Sequence, residues 1–267
     1  MTDFEVRPAL AEVEPGPSRR DGVFAFLVAI GGMAVAIGLS APLVRAAKSL
    51  ANDQRTLSDI AQFVYPPWWY IVATATAGII GLGGAAAIVN WRWGLLRGKW
   101  QFRIRDFYYI GLGVPLVFFG IFLDLKFVSS QQVAPSNAWS VPDFSNSVPP
   151  AALVTPHWAY VLVAFVMLVP VPIVHEAFFR GALLGATRAI TGISTWLVVS
   201  AVVVVVALLG CFYSAGFGFA FWPGLFLSNF ILNWIVVRRG RLWPCVFTNV
   251  GFGLVFVALW YLNFSWV

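Results

Sequence analysis

The sequence is poor in charged residues. Only 10% of its 267 residues are Asp, Glu, Lys or Arg, whereas 60% are hydrophobic, and the mean hydropathy is +0.83. A soluble globular domain carries roughly 25% charged residues, because it needs a surface that water can wet. The composition therefore excludes an ordinary soluble domain. It predicts an all-α integral membrane protein, in which each helix needs roughly 20 apolar residues to cross the bilayer.

Cysteine and histidine are also scarce. The two cysteines, Cys211 and Cys245, lie in or beside apolar stretches without the spacing of a disulfide or a metal site. We therefore interpret them as packing residues. The two histidines are His157 and His175, so no histidine follows position 175. Because a catalytic metal typically needs three protein ligands, the sequence predicts neither a metal site nor a cofactor.

Long apolar stretches predict a polytopic bundle of about seven transmembrane helices. The predicted spans are Val23–Val44, Trp68–Val89, Tyr108–Phe127, Trp158–Leu184, Thr195–Leu209, Phe217–Val237 and Leu242–Phe264. This pattern divides the chain into four predicted regions. They are a cytoplasmic tail (1–22), N-terminal transmembrane helices with interfacial segments (23–127), an external loop (128–157) and a transmembrane core (158–267).

The distribution of the basic residues predicts the orientation in the membrane. Twelve of them lie in the N-terminal segment and in the second, fourth and sixth connections. The opposite side has only Arg45, Lys48, Arg55 and Lys126. Cytoplasmic connections carry an excess of Lys and Arg, so we predict a cytoplasmic N-terminus. The net charge of +6 then serves contact with anionic lipid headgroups, and no nucleic-acid partner is expected.

The main cluster of ionisable residues inside a predicted span is His175, Glu176 and Arg180. Such residues are costly in a membrane and are candidates for a functional site. On a helix the side chains of Glu176 and Arg180, four residues apart, meet on one face. His175 lies about 100° around the helix from Glu176. A carboxylate beside an imidazole can act as a general base on water, but a purely structural Glu–Arg pair fits the residues equally well.

The run from His175 to Gly181 resembles the first motif of the CPBP family, the CAAX-protease and bacteriocin-processing (Abi-like) group of intramembrane proteases. That motif contains two glutamates, three mostly apolar residues and an arginine, often followed by glycine. Residues Phe221–Leu227 and Val237–Pro244 are similar to the late region of the family. There, a Gly-Leu helix leads to a short basic turn, Leu-Trp-Pro and a final helix. The resemblance covers roughly residues 155–260.

The resemblance implies a polar site in which four positions differ from the family. In the family, the first glutamate and a histidine of the next motif are thought to position the attacking water. A further histidine and an asparagine on the last helix complete the site. The residues at these four positions are here His175, Gly216, Asn249 and Gly253. The second glutamate and the arginine are kept, as Glu176 and Arg180.

These replacements predict a divergent, non-catalytic relative that binds a membrane-embedded peptide, a lipidated tail or a partner protein. In one alternative the protein is an active intramembrane endopeptidase. Glu176 is then the general base, Arg180 orients it, and His175 or Asn249 polarises the scissile carbonyl. In another alternative it is a structural subunit of a membrane complex or a small transporter, although the sequence shows no inverted repeat that would frame a transport site.

Two further expectations follow. A peptide-binding relative should place the pair of Glu176 and Arg180 beside an accessible cavity, whereas a scaffold should bury it between helices. The family resemblance, the charge bias and the lack of an organelle-targeting signal predict a multi-pass protein of the bacterial inner membrane.

Overall fold

The structure is a computed structural model that describes residues 17–53, 67–119, 156–191 and 222–265. Within these ranges the chain is helical and forms no strand. Helix α1 is Arg19–Leu50, α2 is Trp68–Trp93, and α3 begins at residue 110 and is described to residue 119. Helix α4 consists of the segments His157–Leu168, Pro170–Glu176, Ala177–Leu183 and Leu184–Thr191. Helices α5 and α6 are Trp222–Arg239 and Trp243–Ser265.

Three helices are long and apolar enough to cross a membrane. They are α1, α2 and residues His157–Ile190 of α4, with 32, 26 and 34 residues, and α6 adds a shorter apolar stretch, Trp243–Ala258. The protein is thus an all-helical integral membrane protein, as predicted. The count of seven spans and the orientation remain predictions, because the predicted span Thr195–Leu209 and part of Tyr108–Phe127 lie outside the described residues. The four predicted regions also remain predictions.

Helices α1 and α2 cross closely through small residues. The start of α1 is fixed by Ser18, whose hydroxyl accepts a hydrogen bond from the amide of Asp21 at 3.2 Å while the Asp21 carboxylate accepts one from the Ser18 amide. Further along, Gly32 lies directly against Gly81. A Cβ atom on Gly81 would sit 2.5 Å from the backbone of α1, so a larger residue there would force the two helices apart.

Helix α4 is interrupted twice. At Val169 the backbone leaves the helical conformation (φ −116°, ψ −76°), immediately before Pro170. Proline lacks the amide hydrogen that would continue the helical hydrogen bonds, so the helix restarts at this point. Eight residues later the turn Ala177–Leu183 is π-helical, and its residues are all buried. Such a turn carries an extra residue and occurs frequently at functional sites.

The connection between α2 and α3 is tied to the turn between α5 and α6. The Arg241 guanidinium donates to the Asp106 carboxylate at 2.7 Å, and both side chains are buried. The Leu242 amide donates to the Lys99 carbonyl, and the Trp243 indole donates to the Trp100 carbonyl, each at 2.9 Å. These contacts join segments that are about 140 residues apart in the chain, and they close one end of the bundle.

The largest apolar core surrounds the π-helical turn of α4. Phe178, Leu183 and Ala182 are fully buried there. They belong to one cluster with Val89 of α2 and Leu232 of α5. The core therefore holds the second interruption of α4 between its neighbours, and it fixes the side chains that project from this turn.

Candidate functional site

A fully buried ion pair lies at the second interruption of α4. Glu176 is the last residue before the π-helical turn and Arg180 lies within it, and both have 0% exposure. The Arg180 Nη1 atom donates to Glu176 Oε1 at 3.0 Å. Its Nη2 atom donates to Asn229 Oδ1 on α5 at 2.5 Å. The pair therefore links α4 to α5, and each charge compensates the cost of burying the other.

His175 and Asn249 complete a polar cluster around the same carboxylate oxygen. The Asn249 side-chain amide, on α6, donates to Glu176 Oε1. The His175 Nδ1 atom lies 3.2 Å from that oxygen, 3.3 Å from the Asn249 amide nitrogen and 3.4 Å from Arg180 Nη1. A protonated Nδ1 donates to the carboxylate, whereas an unprotonated Nδ1 accepts from its two donor neighbours. The proton on this nitrogen therefore sets the role of Nε2.

Two polar atoms of the cluster keep unused hydrogen-bonding capacity. Glu176 Oε2 and Arg180 Nε are buried and have no hydrogen-bond partner among the described residues. Buried polar atoms are nearly always partnered, and an exception calls for an explanation such as a ligand, a water or a catalytic role. The cluster is therefore able to accept one further hydrogen bond at the carboxylate.

A cavity of about 340 Å³ lies beside the cluster. It runs between α2, α4 and α6, and its lining includes Thr74, Met167, Val174 and Phe256 together with His175. The His175 side chain is 39% exposed, and its ring packs against Phe179 with 4.4 Å between centroids. His175 is thus the member of the cluster that reaches the cavity, while Glu176 and Arg180 lie behind it.

Comparison with known families decides what kind of domain carries this cluster. Residues 156–262 match the family model described as type II CAAX prenyl endopeptidase Rce1-like. The matched range, about two fifths of the chain, is thus similar to CAAX prenyl endopeptidases. It contains all four residues of the cluster that the sequence predicted. A comparison with curated proteins gives no match, and neither does one with solved structures.

The matched range, referred to below as the CAAX-protease-like domain, brings together every residue that the sequence proposed for the site. His175, Glu176, Arg180 and Asn249 all contact one another through the Glu176 carboxylate or the His175 ring. Asn249, at a position where the family has histidine, reaches the carboxylate from α6. What each of the four residues does chemically remains a prediction.

Sequence reasoning missed Asn229. It is 5% exposed and accepts the second hydrogen bond from Arg180. Its signal was that of a polar residue inside an apolar span, and Asn233, one turn further on the same helix, carries the same signal and is also buried. Spacing alone does not distinguish the two, because i and i+4 residues share one helix face.

Two further positions that differ from the family are glycines in this chain, Gly216 and Gly253. Gly216 lies outside the described residues. Gly253 packs against α4, where a Cβ atom would sit 2.8 Å from the Met167 carbonyl oxygen. The glycine therefore lets α6 approach the first interruption of α4. The space that an asparagine side chain would need at this position is therefore occupied by the backbone of α4.

A metal site does not emerge from the described residues. No group of three or more His, Cys, Asp or Glu side chains comes together in those ranges. In the cluster itself the acidic and imidazole groups are limited to Glu176 and His175, and the remaining members are an arginine and two asparagines. These donors suit hydrogen bonding to a peptide or water better than they suit metal coordination.

Proposed function

We propose that the CAAX-protease-like domain binds a membrane-embedded or lipidated peptide in the cavity beside His175 without cleaving it. The observation that carries this proposal is the position of the cavity. An almost wholly apolar lining meets the polar cluster at one half-exposed imidazole. Ligand sites commonly combine an apolar wall with a few polar groups that fix orientation.

The family supports a peptide as the occupant. Its members are named as prenyl endopeptidases, which act on a peptide that carries an apolar group. An apolar chain fits the wall formed by Met167, Val174 and Phe256. The imidazole of His175 is then available to hydrogen-bond a peptide amide.

The geometry of the carboxylate favours binding over hydrolysis. Glu176 is fully buried, and its Oε1 atom accepts hydrogen bonds from both Arg180 and Asn249. These two donors already occupy Oε1, so this oxygen is engaged in hydrogen bonds within the protein. The Asn249 amide that would polarise a scissile carbonyl donates instead to Glu176. Glu176 Oε1 and the Asn249 amide are thus already engaged with each other, and the unpartnered oxygen of the carboxylate is Oε2.

A cavity-filling substitution tests the proposal. The protein would be purified in lipid nanodiscs and titrated with fluorescent apolar peptides, with and without a prenyl or acyl group, while anisotropy is measured. We expect Ala75→Trp, within the cavity lining, to raise the Kd at least about tenfold, because an indole occupies the space of the ligand. The matched control is Ile88→Trp on the same helix, a position that is 49% exposed. Equal affinities for all three proteins would contradict the proposal.

One observation favours hydrolysis as a second candidate. The free Oε2 atom of Glu176 lies in the same cluster as the His175 imidazole, and together they can take a proton from water. Water would add to the peptide carbonyl, the C–N bond would break, and the proton would pass to the leaving amine. Mass spectrometry of the same peptides should show cleavage by the wild type that is lost in His175→Ala and in Glu176→Gln. Cleavage of this kind would replace the binding proposal.

Full burial of the ion pair between helices also fits the predicted structural subunit. The anisotropy titration distinguishes this function as well. If folded wild-type protein bound none of the peptides, and Ala75→Trp left assembly with co-purifying proteins unchanged, the structural function would be favoured.

A further inference from the structure

A second cavity shares no lining residue with the cavity beside His175. It has a volume of about 520 Å³ and runs between the start of α3 and the outer face of α5. We call it the α3–α5 groove; its lining consists of Tyr109, Leu112, Ile231, Trp234, Ile235, Arg238 and Arg239. None of these residues lines the cavity beside His175. The proposed peptide site therefore does not account for the groove.

The walls of the α3–α5 groove are held apart by fixed contacts. Tyr109 ends the 3₁₀ helix Ile104–Tyr109, which is anchored by the buried pair of Asp106 and Arg241 at 2.7 Å. On the opposite wall, the buried Ile235 belongs to the main core. Because both walls are attached to rigid parts of the fold, the groove is preformed. A preformed site loses less entropy when a ligand binds.

Two adjacent arginines form one end of the groove. Arg238 and Arg239 are exposed, and the Arg238 guanidinium lies 6.0 Å from the centre of the Trp234 ring. Neither arginine forms an ion pair within the part of the chain that the structure describes. Guanidinium groups bind phosphate through paired hydrogen bonds, and tryptophan favours the headgroup level of a bilayer.

We propose that the α3–α5 groove binds one anionic phospholipid. An acyl chain lies along Leu112, Ile231 and Ile235, and the phosphate contacts Arg238 and Arg239. Apolar walls and a cationic end match the two parts of such a lipid. A zwitterionic lipid with the same chains carries a compensating positive charge and binds less tightly at this end.

The chain supplies a matched control. Arg19 and Arg20 are also adjacent and exposed, and Arg20 lies 5.6 Å from the centre of the Phe24 ring. The two pairs therefore share charge, exposure and an aromatic neighbour. Neither Arg19 nor Arg20 lines the groove. If the groove forms the site, removing the charges of Arg238 and Arg239 weakens lipid binding, and removing those of Arg19 and Arg20 does not. If lipid is attracted to positive charge anywhere on the surface, both changes weaken binding.

The experiment measures lipid binding to the delipidated full-length protein by native mass spectrometry. The probes are dioleoyl phosphatidylglycerol, which is anionic, and dioleoyl phosphatidylcholine, which has the same chains. We expect the wild type to bind one molecule of phosphatidylglycerol more tightly than one molecule of phosphatidylcholine. The double variant R238Q/R239Q should lose at least about tenfold in affinity for it, and R19Q/R20Q should keep the wild-type affinity.

A second variant tests the acyl part of the site. Leu112→Trp fills the groove without changing charge, and we expect it to weaken binding of both lipids. Equal affinity of the wild type for the two lipids, or equal losses in the two arginine variants, would overturn the proposal. Displacement of the lipid by soluble glycerol 3-phosphate at equal concentration would also overturn it, since the phosphate alone would then explain binding.

Discussion

The two buried ion pairs of this protein differ in what they leave unsatisfied. Asp106 and Arg241 join parts of the chain that are 135 residues apart, and the same Asp106 oxygen also accepts from the Arg103 amide at 3.0 Å. Neither side chain has a buried polar atom left without a partner. Glu176 and Arg180 lie on one helix, and each keeps one unpartnered buried atom in the described part of the chain.

This difference separates a structural tie from a site. A long-range pair that leaves no fully buried polar atom without a partner in the described ranges holds two segments in place. A local pair is held by its own helix, so it contributes less to chain topology and can retain spare hydrogen-bonding capacity. Only the second pair has a half-exposed imidazole and a cavity beside it. We therefore expect Asp106 and Arg241 to contribute to stability, and we propose recognition as the role of the cluster at Glu176.

The largest effect is expected at the structural tie. Asp106→Ala leaves the buried Arg241 without its partner, and loss of one member of a buried pair costs about 3–5 kcal/mol. The free energy of unfolding in mixed detergent micelles would measure this loss. In the control, Asp106→Ala combined with Arg241→Met should recover much of the stability. A loss below about 1 kcal/mol in the single variant would show that the tie is not structural.

The next largest effect is expected at Gly253, where the family has asparagine. Gly253→Asn restores the residue found in the family, but its Cβ atom would meet the Met167 carbonyl oxygen at 2.8 Å. We expect a loss of about 1–3 kcal/mol in unfolding free energy from overpacking. Gly84→Asn is the control, because a Cβ atom there meets nothing within 4 Å, and it should change stability by less than about 0.5 kcal/mol. Similar results for both would contradict the packing described for α6.

Substitution of His175 should change the peptide affinity more than it changes the free energy of unfolding. His175→Ala removes a side chain that is 39% exposed, so the free energy of unfolding should change by less than about 1 kcal/mol. Peptide affinity, measured by anisotropy, should fall about tenfold, because the imidazole offers a polar contact at the cavity. A variant that lost stability but kept affinity would reverse our assignment of the two regions.

The smallest effect is a pH dependence near the structural tie. Burial and the neighbouring Arg188 lower the pKa of Lys99 from 10.5 to about 8. Between pH 8 and 10.5 the unfolded chain binds more protons at this residue than the folded one, so stability should rise with pH across that range. We expect a gain on the order of 1 kcal/mol or less, since part of the side chain remains in water. Unfolding free energies at pH 7 and 9.5 should show it, and Lys99→Met should abolish it.

Sequence reasoning located the cluster because charges inside apolar spans are rare. His175, Glu176 and Arg180 stand out for this reason, and the family resemblance added Asn249 on a distant helix. Asn229 was missed because hydrogen bonding between helices depends on rotation about the α5 axis, which apolar spans do not specify. The π-helical turns of α2 and α4 were missed for a related reason. They arise from packing between helices rather than from the local preferences of Ile79–Gly83 or Ala177–Leu183.

Only part of the glycine-rich stretch of α2 packs closely against neighbouring helices. A Cβ atom on Gly81 would clash with the backbone of α1, and one on Gly83 would touch Val174. A Cβ atom on Gly78 or Gly84 would meet no atom of the described residues within 4 Å. Composition shows that close approach is permitted, but the crossing point depends on where the partner helix also has small residues, such as Gly32.

The π-helical turns in α2 and α4 lie in contact with each other, and a Cβ atom on Gly83 would sit 3.5 Å from the Val174 side chain, just before the second turn. In terms of the gene, each turn is a one-codon insertion into an otherwise regular helix. Losing one codon would rotate half of that helix by about 100° relative to its neighbour, which would carry a whole face of side chains out of alignment. Insertions and deletions at either place are therefore expected to disrupt the packing of α2 against α4, so the length of each helix is constrained at its π-helical turn.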